Sequence, residues 1–570
     1  MSTTTNHWGF RYIFIIYLFI GWTEGSELDR VPTVNTDKGK IQGSFLFSAK
    51  GRKILAYRGI PYAKPPVDNL RFKAPEPMEA WTDVKNTTEE GNVCPQNDIF
   101  TNQFIGNDDC LFLNVFTPKI PIGKDENDMP VMVWIHGGLF IQGSGGSELY
   151  GPDYFLDENI VLVTMNYRLG ALGFLSTGDE VVPGNNGLKD QVMALKWVKA
   201  NIALFGGDPI RITIFGNSAG AASVHFHLLS PLSKGLFNRA ISQSGSALNP
   251  WAFTNEAPKH TLHLAELLGC EEEGIHSQMV NCMRGHPAER IVMTTNRMKE
   301  WGTDMFNPFV PVAEGKRKEA FLPHDPRKMM KDGKLNKVKY IMGVTSDEGV
   351  LFSTLLLRHP VLSQDIKYEL YKYLPMYLGY KFDPEKDDEI TAKIHDFYFK
   401  NDTVDTSLHH KFYEMDMDHK ILHGVAETAK MLSYSNFPKV YFYVLSYDGG
   451  ISFWSSILGD IPKGVFHADE LPYMFASKMF PKEMKPGTPQ EKTSERLIKM
   501  WTNFASEGNP TPEVTETLTT TWEPYDSKTK NHLDIGMELK MKTGLYDERV
   551  EFWDSIFAML RKKERVKDEL

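Results

Sequence analysis

A serine flanked by glycines, Ser218 in RITIFGNSAGAASVH (211–225), stands between an apolar β-branched run and an alanine-rich segment that reads as helix. A serine hydroxyl attacks a carbonyl only when a base takes its proton and preorganised N–H groups receive the charge that develops on oxygen. A strand, a tight turn and a helix in that order are the setting in which small neighbours tolerate a strained serine whose Oγ projects at a helix N-terminus. The glycine pattern alone is a weak signal, so the surrounding residues must decide. Upstream, WIHGGLF (134–140) is a strand ending in His136-Gly137-Gly138. That is the position from which the N–H groups of Gly138 and Leu139, joined by that of Ala219, would form an oxyanion hole. GSGG at 143–146 is no dinucleotide fingerprint, because the helix and the spaced acid that would complete one do not follow.

The elements that must hold these residues are legible as apolar runs ending in turns. VMVWI (131–135), IVLVTM (160–165), ITIF (212–215), YIMGV (340–344) and VYFYVL (440–445) are rich in valine, isoleucine and aromatics. Being apolar on both faces, they read as strands buried between layers of helix. Between them lie helical patterns such as 188–205, where Leu188, Val192, Leu195, Trp197 and Val198 approximate a 3.6-residue stripe. Alternating strand and helix predicts an α/β fold with a central, mostly parallel, doubly wound sheet flanked by helices. The segment from about 355 to 435 is mixed helical and reads as an insertion between late strands. With no internal repeat and no low-complexity linker, residues 26–566 are expected to form a single catalytic domain with insertions.

A formal charge of −10 over 570 residues, with basic and acidic side chains interspersed, leaves no basic footprint for nucleic acid. The N-terminus carries Arg11 and then nine apolar or aromatic residues, Tyr12 to Ile20, followed by small residues near Gly25. That run is too short to span a bilayer and reads as a cleaved signal peptide over 1–25, with no transmembrane anchor later in the chain. Export suits the four cysteines, which fall as two local couples, Cys94 with Cys110 and Cys270 with Cys282, among three formal connectivities. No CxxC is present and no zinc site is suggested. Asn86 and Asn401 begin glycosylation sequons. Residues 567–570 read KDEL, the address of the endoplasmic-reticulum retrieval receptor, so the expected location is the lumen of that compartment.

Taken together, GIPYAKPP (59–66), DDCLFLNVFTP (108–118), VWIHGG (133–138), NYRLGALGFLS (166–176), GNNGLKDQ (184–191), FGGDP (205–209), GNSAG (216–220), QSGSA (243–247), SDEG (346–349) and GVFHADEL (464–471) resemble the type-B carboxylesterase/cholinesterase family of α/β-hydrolases, insect carboxylesterases most of all. The resemblance spans nearly the whole mature chain. It implies the α/β-hydrolase fold and carboxylic ester hydrolysis through an acyl-enzyme, with no metal or other cofactor. It selects Glu348 as the acid and His467 as the base of a triad with Ser218, a choice composition could not make among 17 histidines. It also implies disulfides at both cysteine couples and a buried ion pair between Arg71 and Asp108. Two departures bear on substrate: Asn217 stands where cholinesterases carry glutamate, and the Cys94 to Cys110 loop has no tryptophan to stack on choline. Leu139 replaces the usual third glycine of the oxyanion loop. The expected substrate is therefore a small, neutral, apolar ester. The competing readings are a stoichiometric scavenger of reactive esters and a non-catalytic, cholinesterase-like binding protein.

Overall fold

The computed structural model describes residues 31–568 apart from 99–100, 120–128, 272–274, 300, 303–306, 381–383, 401–408, 460–461 and 480–483. The expected signal peptide over 1–25, the sequon at Asn401, and Glu569 and Leu570 of the expected retrieval signal lie outside the described residues. Among those described, the apolar runs assemble into one eleven-stranded sheet. In chain order its strands are β1 (Ser44–Phe47), β2 (Lys53–Pro61), β3 (Phe112–Thr117), β4 (Met129–Ile135), β5 (Val161–Met165) and β6 (Gly207–Asn217). They continue with β7 (Arg239–Gln243), β8 (Lys339–Thr345), β9 (Val440–Leu445), β10 (His532–Ile535) and β11 (Leu539–Lys542).

Across the sheet the order is β11-β10-β9-β8-β7-β6-β4-β5-β3-β2-β1. The strands from β10 to β5 in that order run parallel, and antiparallel strands finish both ends. β4 and β9 are buried along their whole length, which is why their sequences are continuously apolar rather than alternating. Alternate side chains feed two different cores: Val131, Val133 and Ile135 one, Met132 and Trp134 the other. The chain leaves β4 for β5 on one side, then returns to place β6 on the other. Crevices at such reversals, outside the carboxyl ends of the strands, are where open α/β sheets bind ligands.

The helices that bear on the site are α1 (Asn186–Asn201), α2 (Ala219–Leu229), α3 (Gly349–Leu357), α4 (Leu370–Leu378), α5 (His409–Asp416), α6 (His423–Ser433), α7 (Pro489–Glu507) and α8 (Asp547–Asp568). The predicted stripe of α1 is buried at all five positions. Each such side chain removed from water contributes about 1.5–3 kcal/mol. The helix gives way at Ile202 to a 3-10 turn ending at Gly206, so the predicted span 188–205 is two elements. β6 begins at Gly207 rather than at 212, because Gly207 pairs with Met129 across a bulge. The insertion between β8 and β9 is helical, as expected, and forms a third core with α8 through Leu374, Phe412, Trp553 and Ile556. Phe552 and Leu560 are half-buried against that core. No helix among the described residues is long and apolar enough to cross a membrane.

Candidate active site

Ser218 lies between the last residue of β6 and the first of α2, with φ 59° and ψ −122°. A side chain held in that sparsely populated region costs of order 1–3 kcal/mol, so its neighbours must impose it. They do so through the backbone. The Ser218 N–H donates to the Gln243 carbonyl of β7 at 2.9 Å, and the Ala222 N–H donates to the Ser218 carbonyl at 2.9 Å. The flanking glycines are a matter of space: a Cβ on Gly220 would run into the Ile135 carbonyl oxygen, and one on Gly216 would lie 2.5 Å from the same atom.

Glu348 follows β8 and immediately precedes α3, while His467 opens the turn 467–470 beyond β9. The loops bring the two together: Glu348 Oε2 is 2.6 Å from His467 Nδ1. Glu348 Oε1 accepts the Thr345 N–H at 2.8 Å, which fixes the carboxylate from its other side. An imidazole that donates from Nδ1 to a carboxylate presents Nε2 as its free base. The His467 carbonyl accepts the Trp454 indole N–H at 2.6 Å, and the Phe352 ring packs on the imidazole at 5.7 Å.

Ser218 and His467 line one cavity of about 450 Å³. Gly137, Gly138 and Leu139 line it too. This loop runs through positive φ at Gly138, Leu139 and Phe140, at 105°, 54° and 63°. Its carbonyls are occupied elsewhere: Gly138 O accepts the Ile141 and Gln142 N–H groups, and Leu139 O accepts Asn307 Nδ2. Ala219 is fully buried at the first position of α2, one peptide behind the serine, rather than part of the cavity lining. Its N–H belongs to the first turn of a helix, where no intrahelical acceptor exists and the dipole favours negative charge.

The cavity lining combines apolar side chains, among them Tyr150, Leu351, Phe352, Phe453, Trp454 and Leu471, with the polar Glu90, Gln96, Asp98, Gln142 and Glu148. Gln96, Asp98 and Ile105 of that lining come from the loop closed by the Cys94–Cys110 disulfide. The second disulfide, Cys270–Cys282, is also formed. His286 lies beside it, with Nε2 3.4 Å from Cys270 Sγ, so a cysteine does have a histidine neighbour that the sequence did not indicate. The three residues group within metal-binding distance, but the ligand form of cysteine is the thiolate, and these sulfurs are bonded to each other. Arg71 and Asp108 pair at 2.7 Å and are partly rather than fully buried, at 11% and 19% side-chain exposure. Asn86 is exposed at the end of a short strand.

Several residues around the site have contacts that the sequence did not show. Glu470 is fully buried; its Oε1 accepts Asn217 Nδ2 and Gln243 Nε2, each at 2.9 Å, while Oε2 has no partner. Burial, reinforced by nearby Glu348, raises its carboxyl above the ordinary range. Asn217, noted in the sequence for what it replaces, thus has a structural task of its own. Asp469 accepts from Ser452 Oγ and the Phe453 N–H with one oxygen and from the Phe466 N–H with the other. It thereby ties the segment bearing Phe453 and Trp454 to the His467 turn. His136 precedes the loop 137–140, stacks on Tyr167 at 4.3 Å, and is held down at about 4 by burial. His225 and His227 on α2 are buried and held at about 3 by the same cause, which makes them core histidines.

The sequence profile of the carboxylesterase family matches residues 30–553. The chain is 38% identical to esterase FE4 of Myzus persicae over 532 residues, 91% of each chain. It is also 38% identical to the juvenile hormone esterase of Tribolium castaneum over 525 residues, 88% of each. The crystal structure of juvenile hormone esterase from Manduca sexta, with OTFP covalently attached, superposes with a TM-score of 0.83 at 28% identity, covering 93% of this chain and all of that one.

Proposed function

The chain belongs to the carboxylesterase family and is a carboxylic ester hydrolase; from that premise we propose that it cleaves neutral, apolar esters by acyl transfer through Ser218. His467 Nε2 takes the hydroxyl proton as Ser218 Oγ bonds to the ester carbon. The carbonyl π pair moves onto oxygen and is received by the N–H groups of Gly138, Leu139 and Ala219. Collapse breaks the bond to the alcohol, which leaves with the proton from His467, and a water molecule repeats the sequence on the acyl-enzyme. Glu348 holds the imidazole in the required tautomer and stabilises it while charged.

The observation that carries this reading is the 2.6 Å contact between Glu348 and His467 in a loop that shares a cavity with a strained serine. The apolar lining supports an apolar acyl or alcohol group, and Glu90, Asp98 and Glu148 in the same lining disfavour an anionic one. Purified protein is assayed on p-nitrophenyl esters of graded acyl length before and after paraoxon. Ser218→Ala is expected to lose about 10⁴-fold or more in kcat while remaining folded. A folded Ser218→Ala protein with parent-like activity, or paraoxon-resistant activity, overturns the assignment.

The proposal extends to the remaining expectations. Residues 26–566 act as one catalytic unit, Asn86 and Asn401 carry glycans, and residues 567–570 return the enzyme to the endoplasmic reticulum. Deleting the last four residues is expected to send activity into the medium, and equal retention of the truncated form refutes the address.

A further inference from the structure

The chain between α5 and α6 widens into a π-helical turn over Met417–Leu422. Such turns are rare and recur at functional sites, because the extra residue re-aims neighbouring side chains. Here the turn lies against α3, the helix that follows Glu348 and contributes Leu351 and Phe352 to the cavity wall. The approach is backbone on backbone: a Cβ on Gly349 would collide with the Tyr413 carbonyl and lie 2.6 Å from the Met417 nitrogen.

Asp416 and Lys420, one residue before the π turn and within it, face α3 as an ion pair at 3.3 Å. Asp416 is fully buried and the Lys420 side chain is 14% exposed. Asp416 Oδ2 accepts Ser353 Oγ at 2.5 Å and the Tyr377 hydroxyl of α4 at 2.7 Å. The Lys420 ammonium lies 3.7 Å from the centre of the Tyr377 ring and 4.9 Å from that of Phe352. Its backbone carbonyl is pinned by Asn249 Nδ2 and by the Trp251 indole, both at 2.8 Å. A desolvated cation over aromatic faces is attracted by their quadrupoles, so it resists rotation of both rings in a way a methylene chain would not. Phe352 passes that restraint on, since it meets the His467 imidazole at 5.7 Å. As a source of stability a buried ion pair is a poor choice, because desolvation offsets most of its attraction. Its contacts with Ser353, Phe352 and Tyr377 point to placement.

We propose that Lys420, held by Asp416, is a positioning residue for ester hydrolysis: its ammonium fixes the Phe352 ring, and Phe352 fixes the His467 imidazole and one wall of the cavity. The inference rests on the reading of His467 as the base. It touches no reacting atom, so its effect falls on kcat per competent site rather than on the number of competent sites.

The experiment measures kcat and KM for p-nitrophenyl butyrate in the full chain, with active sites counted from the paraoxon-titratable fraction. The set is the parent, Lys420→Arg, Lys420→Met, Phe352→Leu and Phe352→Leu/Lys420→Met. Lys420→Met is expected to lower kcat per titrated site by roughly 10- to 100-fold, the scale of a catalytic group displaced by a fraction of an ångström to one ångström. Lys420→Arg restores most of that loss, and Lys420→Met adds nothing once Phe352 is already leucine. Unchanged kcat per site in Lys420→Met overturns the proposal, as does a loss that adds in full on the Phe352→Leu background. Should Lys420→Met fail to fold, Asp416→Asn/Lys420→Met removes both charges together and is read against the same two outcomes. An inactive parent, by contrast, speaks against ester hydrolysis itself and leaves a result unlike either of these.

Discussion

Glu470 offers a stability test whose size follows from its hydrogen bonds. Its Oε1 serves two buried amide donors, Asn217 Nδ2 and Gln243 Nε2, and its Oε2 serves none. In Glu470→Ala both donors lose their acceptor. A stranded buried donor costs about 1–3 kcal/mol, so the pair costs about 2–6 kcal/mol before the emptied volume is counted. Glu470→Gln behaves differently. Burial and nearby Glu348 raise the carboxyl, favouring its neutral form, and an amide of the same shape mimics a neutral acid. Its single carbonyl oxygen can keep both donors, and its NH₂ group replaces an oxygen that had no partner. The expected cost of glutamine is therefore about 1 kcal/mol, leaving a gap of roughly 1–5 kcal/mol between the two variants. Urea unfolding followed by tryptophan fluorescence measures both, with kcat per titrated site as a second readout. Because Asn217 precedes the nucleophile, the alanine variant should also lose more turnover than the glutamine one. Equal destabilisation by Ala and Gln, within about 0.5 kcal/mol, would show that the two amides do not depend on this acceptor.

Three further outcomes are expected. Leu139 holds a side chain at φ 54° in the loop proposed to bind the oxyanion; Leu139→Gly relieves that strain by about 1 kcal/mol and should shift the kcat/KM optimum toward longer acyl chains, whereas an unchanged chain-length profile contradicts a steric role. Arg168 and Asp190 pair at 2.7 Å with side-chain exposures of 3% and 0%; Asp190→Ala strands the guanidinium and should cost about 3–5 kcal/mol in denaturant unfolding, and a cost below about 1 kcal/mol counts against the burial argument. His227 is held at about 3 by burial while an unfolded imidazole titrates near ~6.5, so below that pH the unfolded chain binds the extra proton and stability falls as pH falls. His227→Gln should flatten the stability slope between pH 6 and pH 4 by about 1.4 kcal/mol per unit, and identical slopes in parent and variant refute the assignment.

The legibility of the sequence differed between backbone and site. β9 was readable to the residue because VYFYVL is apolar on both faces, and a strand covered by helices has no other pattern. The serine was readable because its neighbours must be small, a steric demand that leaves a mark on sequence. His467 and Glu348 were readable only through family resemblance, since a histidine in a loop has no local signature. Glu470, Asp469 and Lys420 were hidden for a physical reason: a polar residue at a helix end or in a turn looks solvated until distant elements close over it. Gln243 and Asn217 meet Glu470 across 227 and 253 residues of chain, a pairing no window of sequence contains. Trp553 shows the same limit on the apolar side; it is fully buried in the third core, whereas its neighbour Phe552 is only half-buried there.

The site's parts are spread along the chain in an order that matters during synthesis. The loop 137–140 and Ser218 emerge first, Glu348 follows, and His467 comes 119 residues after Glu348. β10, which pairs with β9, and α8, which closes the third core, come later still. On the proposed mechanism, a growing chain therefore carries its serine long before the base that would activate it. On the mechanism proposed above, the chain has no base until residue 467 has been added, and a fragment cut short before it hydrolyses no ester by that route.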